Sequence, residues 1–280
     1  MITLILKHYL FFRTDSIFGY RFKNPISIFL IFRILKIINH FPFIGKLTAF
    51  LYNYLSRQKI IISDKYKFIY IENPLVASNS MINLFIHKPP LDYCAEIKSG
   101  NVEKVIKSNK KYEQYLIFSI VRDPWSRIVS CYHKKILNAI RIGGIEMISQ
   151  YEGIYPLMKF KEYLKFLCSE QGKDKNADLH WISQYKLLYD SNETPLCNYI
   201  IKLKNLKDDL RNMFHIHNIP YLRLPHEGSS KSLKIKPKFE NFKKYYKNLD
   251  LKLIKNLEDR YKKDIDYFNY PKLSDLLKRI

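Results

Sequence analysis

Residues 117–136 read IFSIVRDPWSRIVSCYHKKI, and the change of character inside this stretch decides the fold. Tyr115 to Val121 (YLIFSIV) is a near-continuous apolar run, the composition of a strand buried on both faces of a parallel sheet. Arg122-Asp123-Pro124 ends it. A proline suits the first position of a helix, where its missing N–H leaves no bond unmade. From Trp125 to about Leu137 the apolar residues Ile128, Val129, Tyr132 and Ile136 recur at helical spacing. Strand, tight turn and helix together form the unit from which α/β domains are built.

The same unit occurs upstream. Lys65 to Ile71 (KYKFIYI) reads as a strand, Asn73-Pro74 as a turn, and Asn79 to His87 as an amphipathic helix buried through Met81, Ile82, Leu84, Phe85 and Ile86. A short loop between strand and helix presents backbone N–H groups to an anion. Downstream, helices are expected at Leu157 to Cys168, near His180 to Leu188, Leu206 to Phe214, Phe239 to Tyr246 and Leu251 to Lys262. A short strand is expected at Asn198 to Lys202, and Pro220 to Pro237 reads as loop. The expected architecture is α/β, with a central parallel sheet flanked by helices.

Residues 1–60 differ from the rest, being apolar, basic and broken by Pro25 and Pro42. They are expected to form a helical extension, with residues 61–280 as the main domain. Two readings of the extension stand: helices packed on the main domain, or helices lying on an anionic membrane surface. The longest apolar run, Ile26 to Ile38, is too short to span a bilayer and carries Arg33 and Lys36. No small-residue cleavage signature follows the start MITLILKHYLFFR, so it is not read as a signal peptide.

With 47% hydrophobic residues, the chain has material for one sizeable core and is not of disordered composition. A net charge of +22 concentrates anionic partners, whether nucleotides, sulfated glycans, nucleic acid or acidic lipid. Cys94, Cys131, Cys168 and Cys197 form no C-x-x-C pair and no zinc-ligand spacing, so no metal is expected. Scattered thiols of this kind point to a reducing compartment and a cytoplasmic location, with peripheral contact at an inner membrane face under the second reading of residues 1–60.

Arg122 stands at the carboxyl end of a buried strand, where ligands of open α/β sheets bind. Ser130 follows on the next helix. A guanidinium grips a phosphate through two donors and a hydroxyl completes the cradle. The alternative is that Arg122 pairs with a carboxylate and Ser130 merely packs.

RDPWSRIVSCY resembles the 3′-phosphate motif of the carbohydrate sulfotransferases, R-[DE]-P-x-x-R-x-x-S-x-Y, at Arg122, Asp123, Pro124, Arg127, Ser130 and Tyr132. IYIENPLVASNSM resembles that family's 5′-phosphosulfate loop through Pro74, Ala77, Asn79 and Ser80. DLHWISQYKLLY resembles a family stretch through His180, Trp181, Gln184 and Leu187, and the similarity runs on through NYIIKLKNLKDDL to Tyr270. The resemblance implies a P-loop-like sulfotransferase fold and a nucleotide donor, 3′-phosphoadenosine-5′-phosphosulfate (PAPS). It implies that Arg122 and Ser130 hold the 3′-phosphate, while Ala77, Ser78, Asn79 and Ser80 wrap the 5′-phosphosulfate. It also implies transfer of a sulfuryl group to a hydroxyl of an acceptor, in this family a carbohydrate.

Leu75 stands where the family loop has a lysine beside the bridging oxygen of the sulfate. Either His87 or Lys88 takes over that charge, or the enzyme is slow, or the chain binds PAPS without turnover. His180 is a candidate general base, because it titrates in the useful range, with Asp92 and Glu96 as alternatives. A purely structural histidine is the competing reading. A rival of another class, a basic nucleic-acid-binding protein, draws on the charge and on KIKPKFENFKKYYK, which matches no nucleic-acid motif.

Overall fold

The computed structural model describes residues 57–87, 92–138, 151–220 and 239–278. The expected extension over residues 1–60 lies outside the described residues as far as residue 56. The loop expected from Pro220 to Pro237 lies outside them beyond its first residue. The elements discussed below belong to a compact unit of residues 56–132 and 159–280, except for residues 133–137, which fall in a second unit.

Five strands form one sheet: β1 (Lys59–Ser63), β2 (Phe68–Ile71), β3 (Ala95–Ser99), β4 (Leu116–Val121) and β5 (Tyr199–Lys202), in the order β3-β1-β2-β4-β5. β2, β4 and β5 are parallel neighbours, with Ile71 opposite Ser119 and Val121 opposite Lys202. This is the expected parallel sheet. β1 extends it antiparallel to β2, and β3 lies antiparallel to β1. The whole is therefore mixed, because two strands that the sequence reading did not place join one side.

Side-chain alternation along the strands divides the core into two layers. On one face Ile61, Phe68, Tyr70, Phe118 and Ile120 pack against α1 (Ser78–Ile82, continuing in π-helical form over Asn83–His87) and α6 (Leu206–Ile216). On the other face lie Ile60, Ile62, Ile69, Ile71, Ile117 and Val121. They meet residues of α2 (Val102–Lys107), α5 (Gln184–Leu188) and α8 (Lys262–Phe268). Burial on both faces explains why β2 and β4 read as unbroken apolar runs. Each fully buried Phe or Ile contributes about 1.5–3 kcal/mol, so the sheet centre is the stable platform for what stands at its rim.

α3 (Pro124–Cys131) follows β4 directly and continues in π-helical form over Tyr132–Leu137. Asp123 caps it, its carboxylate accepting from the N–H groups of Trp125 (3.3 Å) and Ser126 (3.0 Å). The remaining helices are α4 (Phe160–Cys168), α7 (Leu251–Arg260) and α9 (Leu273–Leu277). Among the described residues no helix is long and apolar enough to cross a membrane. All four cysteines are free thiols.

Candidate active site

β2 and β4 are adjacent and parallel, so the turns that leave them emerge side by side at one pole of the sheet. After β2 the chain runs through Asn73, Pro74, Leu75 and Val76 to Ala77, the cap of α1. Leu75 (φ 70) and Ala77 (φ 58) are both left-handed, with Val76 between them outside that region. Non-glycine residues adopt this conformation rarely, and such strain concentrates at functional sites. Alternation of this kind turns successive N–H groups to one side, forming a concavity that attracts anions. The Ala77 carbonyl accepts the Met81 N–H at 3.0 Å, but no side chain caps the first turn of α1. Ser78 is buried, Ala77 and Ser80 are half-buried, and Asn79 is exposed.

After β4 comes Arg122, whose side chain turns toward that loop. Its Nη1 donates to the Leu75 carbonyl at 3.2 Å, and its Nε donates to Ser126 Oγ at 2.9 Å. Arg122 is only 5% exposed, and burial pushes its pKa down to about 10, opposed by the nearby Asp123 carboxylate. The guanidinium is therefore still charged at neutral pH. Ser130 is half-buried on α3, one turn beyond Ser126, so Arg122, Ser126 and Ser130 follow one another at four-residue spacing. Ser126 is the member of this row that the sequence reading missed. Its position four residues after Arg122 was the available signal.

Asn73 and Gln184 fix the rim from below. Gln184 Oε1 accepts from the Arg122 N–H (2.9 Å) and from Asn73 Nδ2 (2.9 Å), while Gln184 Nε2 donates to the Arg122 carbonyl (2.7 Å). Asp264 holds Gln184 in turn, accepting from its main-chain N–H at 3.0 Å and from Tyr185 N–H at 2.8 Å. Burial raises the Asp264 carboxyl above its ordinary range, and these two amides pull the other way.

Arg127, the second arginine of the motif, faces backbone rather than ligand. Its Nε donates to the Pro74 carbonyl (3.3 Å), Nη1 to Ile182 (2.7 Å) and Nη2 to Leu179 (3.0 Å). It thereby straps the segment carrying His180 to the loop after β2. His180 Nδ1 meets Asp178 Oδ1, and the same oxygen accepts the His180 N–H at 2.9 Å. Asp178 is nearly buried, while the imidazole is 21% exposed. A proton held on Nδ1 by the carboxylate leaves Nε2 as an acceptor.

The two alternative carboxylates stand elsewhere. β3 runs in the same direction as β2, so Asp92, just before it, and Glu96, near its start, lie toward the opposite pole. Asp92 is engaged by Cys94, and Glu96 pairs with Lys98 at 2.7 Å. Neither is a base for chemistry at Arg122. His87 has no described side chain and Lys88 lies outside the described residues, as do residues 234–238 of KIKPKFENFKKYYK, while Phe239–Tyr245 of that stretch form a 3-10 helix. Among the described residues no group of His, Cys, Asp and Glu is arranged to hold a metal ion.

A model of the sulfotransferase family matches residues 58–271, from just before β1 to just after Tyr270. The chain belongs to the sulfotransferase family. Carbohydrate sulfotransferase 14 of Danio rerio is 25% identical over 244 residues, covering 76% of this chain and 62% of that protein. Carbohydrate sulfotransferase 14 of Mus musculus is 26% identical over 153 residues, covering 46% of this chain and 39% of that protein. The chain thus spans less than two thirds of either relative. No solved structure matches it. The family match takes in β1, which straddles the boundary read at residue 60, with Lys59 and Ile60 before it and Ile61 to Ser63 after it.

Proposed function

We propose that the chain transfers a sulfuryl group from PAPS to a hydroxyl of an acceptor, of carbohydrate class. The observation that carries this reading is the approach of the Arg122 guanidinium to the Leu75 carbonyl, 3.2 Å away. It supports a single anionic ligand held between the turn after β2 and the turn after β4. The residues present suit such a donor. In this reading the N–H groups of Ala77 to Ser80 take its 5′-phosphosulfate, and Arg122 with Ser130 its 3′-phosphate.

When bound, PAPS supplies a sulfuryl group whose bond to the 5′-phosphate oxygen breaks as the acceptor oxygen bonds to sulfur. The protein's part is positioning and charge, as in phosphoryl transfer. His180 Nε2 takes the proton of the acceptor hydroxyl, with Asp178 holding the opposite ring nitrogen, a role typically worth about 10² to 10⁴ in rate. Leu75 supplies no cation beside the leaving oxygen, and this favours a second reading: a homologue that binds PAPS with little or no turnover.

Thermal shift with 3′-phosphoadenosine-5′-phosphate and with AMP tests the binding claim. A preference for the 3′-phosphorylated nucleotide that disappears in Arg122→Ala is the expected result, and equal response to both nucleotides overturns it. Transfer of radiolabelled sulfate from PAPS to glycan acceptors then separates the active from the silent reading.

A further inference from the structure

A second concavity, of about 340 Å³, lies at the pole of the sheet opposite Arg122. It is lined by Lys65, Tyr66 and Lys67 from the turn between β1 and β2, by Gln114 and Leu116 at the start of β4, and by His217 and Asn218 just after α6. Leu116 and Arg122 are six residues apart in an extended chain, which at about 3.3 Å per residue puts roughly 20 Å between the two sites. One nucleotide held at Arg122 does not occupy both.

Among the described residues no carboxylate lines this concavity. Elsewhere on the described surface lysines reach carboxylates: Lys107 to Asp190, Lys161 to Asp250, Lys262 to Asp266. Here the nearest candidates are already engaged. Asp64 binds Lys111 and the Tyr115 hydroxyl, each at 2.7 Å, and Asp92 accepts from Cys94 N–H at 2.8 Å. Among the described residues, the side chains of Lys67, Gln114, His217 and Asn218 make no hydrogen bond or ion pair. The Lys65 ammonium stands 5.1 Å from the centre of the Tyr66 ring, which together with Leu116 gives the concavity an apolar wall. Two terms oppose the two full positive charges: the carboxyl end of α6, about half a negative charge, and the Asp92 carboxylate, whose field reaches Lys65.

We infer that this concavity is an anion site distinct from the proposed donor site, taking a sulfate or phosphate monoester on a body the size of a sugar. Two lysines, a histidine, a glutamine and an asparagine line it, which supplies enough donors for an anion with three terminal oxygens. The volume lies at the lower end of the range for small-molecule sites. The inference stands independently of the donor reading, since it uses none of the same residues.

Calorimetric titration of the full chain with glucose 6-sulfate, glucose 6-phosphate, inorganic sulfate and glucose tests it. Hydrogen exchange of the sulfate-ester complex locates the ligand. One or both esters are expected to bind and glucose not to bind, with protection at 64–67 and 215–218 rather than at 74–80. Whichever ester binds more tightly identifies the source of the anion, and inorganic sulfate binding equally well removes the sugar-sized body from the proposal. The exposed pair Lys65→Gln/Lys67→Gln is expected to weaken ester binding about tenfold or more, the scale of lost charge-assisted hydrogen bonds, while the matched pair Lys252→Gln/Lys255→Gln leaves it unchanged. Absence of binding, protection confined to 74–80, or equal loss in both double variants overturns the site, the last by showing a diffuse field.

Discussion

The main chain of Arg122 is held at both ends by one side chain: Gln184 accepts its N–H at 2.9 Å and donates to its carbonyl at 2.7 Å. Gln184 is fully buried and also binds Asn73 Nδ2, so one carboxamide aligns the turns that leave β2 and β4. Gln184→Met keeps the volume but leaves buried donors and acceptors of Arg122 and Asn73 unpaired. Each such group costs about 1–3 kcal/mol, so a loss of several kcal/mol in urea unfolding is expected. A loss below about 1 kcal/mol would show that water or another group replaces the bridge.

Ser126 acts on the Arg122 side chain where Gln184 acts on its backbone. Its hydroxyl accepts from Nε at 2.9 Å and donates to the Asp123 carbonyl at 3.1 Å, which fixes the plane of the guanidinium. Alanine is a better helix former, so Ser126→Ala is expected to fold normally. Loss of a hydrogen bond to a charged group, about 1.5–3 kcal/mol, predicts roughly tenfold or greater weakening of 3′-phosphoadenosine-5′-phosphate binding. AMP affinity should not change. Equal weakening of both nucleotides by calorimetry counts against the assignment of Arg122 to the 3′-phosphate.

The charge on Arg122 sets a pH dependence with a definite sign. Burial lowers its pKa to about 10, so the cation is intact at neutral pH and is lost as pH rises through that value. Preference for the 3′-phosphorylated nucleotide over AMP is therefore expected to be flat from neutral to mildly alkaline pH. It should decline as pH approaches 10, since bound anion holds the proton longer. Calorimetry across that range checks it, and a preference that instead falls steeply near neutral pH points to a different cation.

The parts of this fold that were legible in the sequence are those whose signal is local. Phe68 to Ile71 and Leu116 to Val121 sit between two helical layers, so every residue is apolar or small, and each ends in a recognisable turn. Lys59–Ser63 is also buried but follows an apolar, basic stretch without a break, so the boundary read at residue 60 cut through it and no strand was placed there. Ala95–Ser99 is a polar edge strand with four exposed residues, and only its pairing to β1 makes it a strand. Its position also removes Asp92 and Glu96 from the site. In the same way, Arg122 and Ser130 were visible through their spacing on one strand and the helix after it. The work of Gln184 and Arg127 was not, because both bind main-chain atoms more than fifty residues away.

Asp178 is expected to be a positioning residue for His180. Asp178→Asn preserves the shape of the pair but can present an N–H to Nδ1, favouring the tautomer that carries the proton on Nε2. In an active enzyme kcat is expected to fall about 10²-fold or more, with the alkaline-rising limb of its pH profile displaced and the donor KM nearly unchanged. A parallel change in KM with no change in the profile would mean that the pair is a structural brace for the segment held by Arg127.

Leu75 poses the sharpest test of activity. Its carbonyl receives Arg122 and its φ is 70, so its backbone is set by the loop, and the resemblance of NPLVASNS to the family loop aligns it with a lysine. A lysine there strains the backbone no more than leucine does, so Leu75→Lys is expected to leave the melting temperature close to that of the parent. A preorganised cation beside a developing negative charge is worth about 10² to 10³ in rate. Leu75→Lys should therefore raise sulfate transfer from PAPS by that order, while binding of 3′-phosphoadenosine-5′-phosphate, which lacks the sulfate, changes little. If the parent already transfers sulfate at a rate that the lysine does not improve, another cation serves the leaving oxygen. If neither protein transfers sulfate to any acceptor while both bind the nucleotide, the silent reading stands.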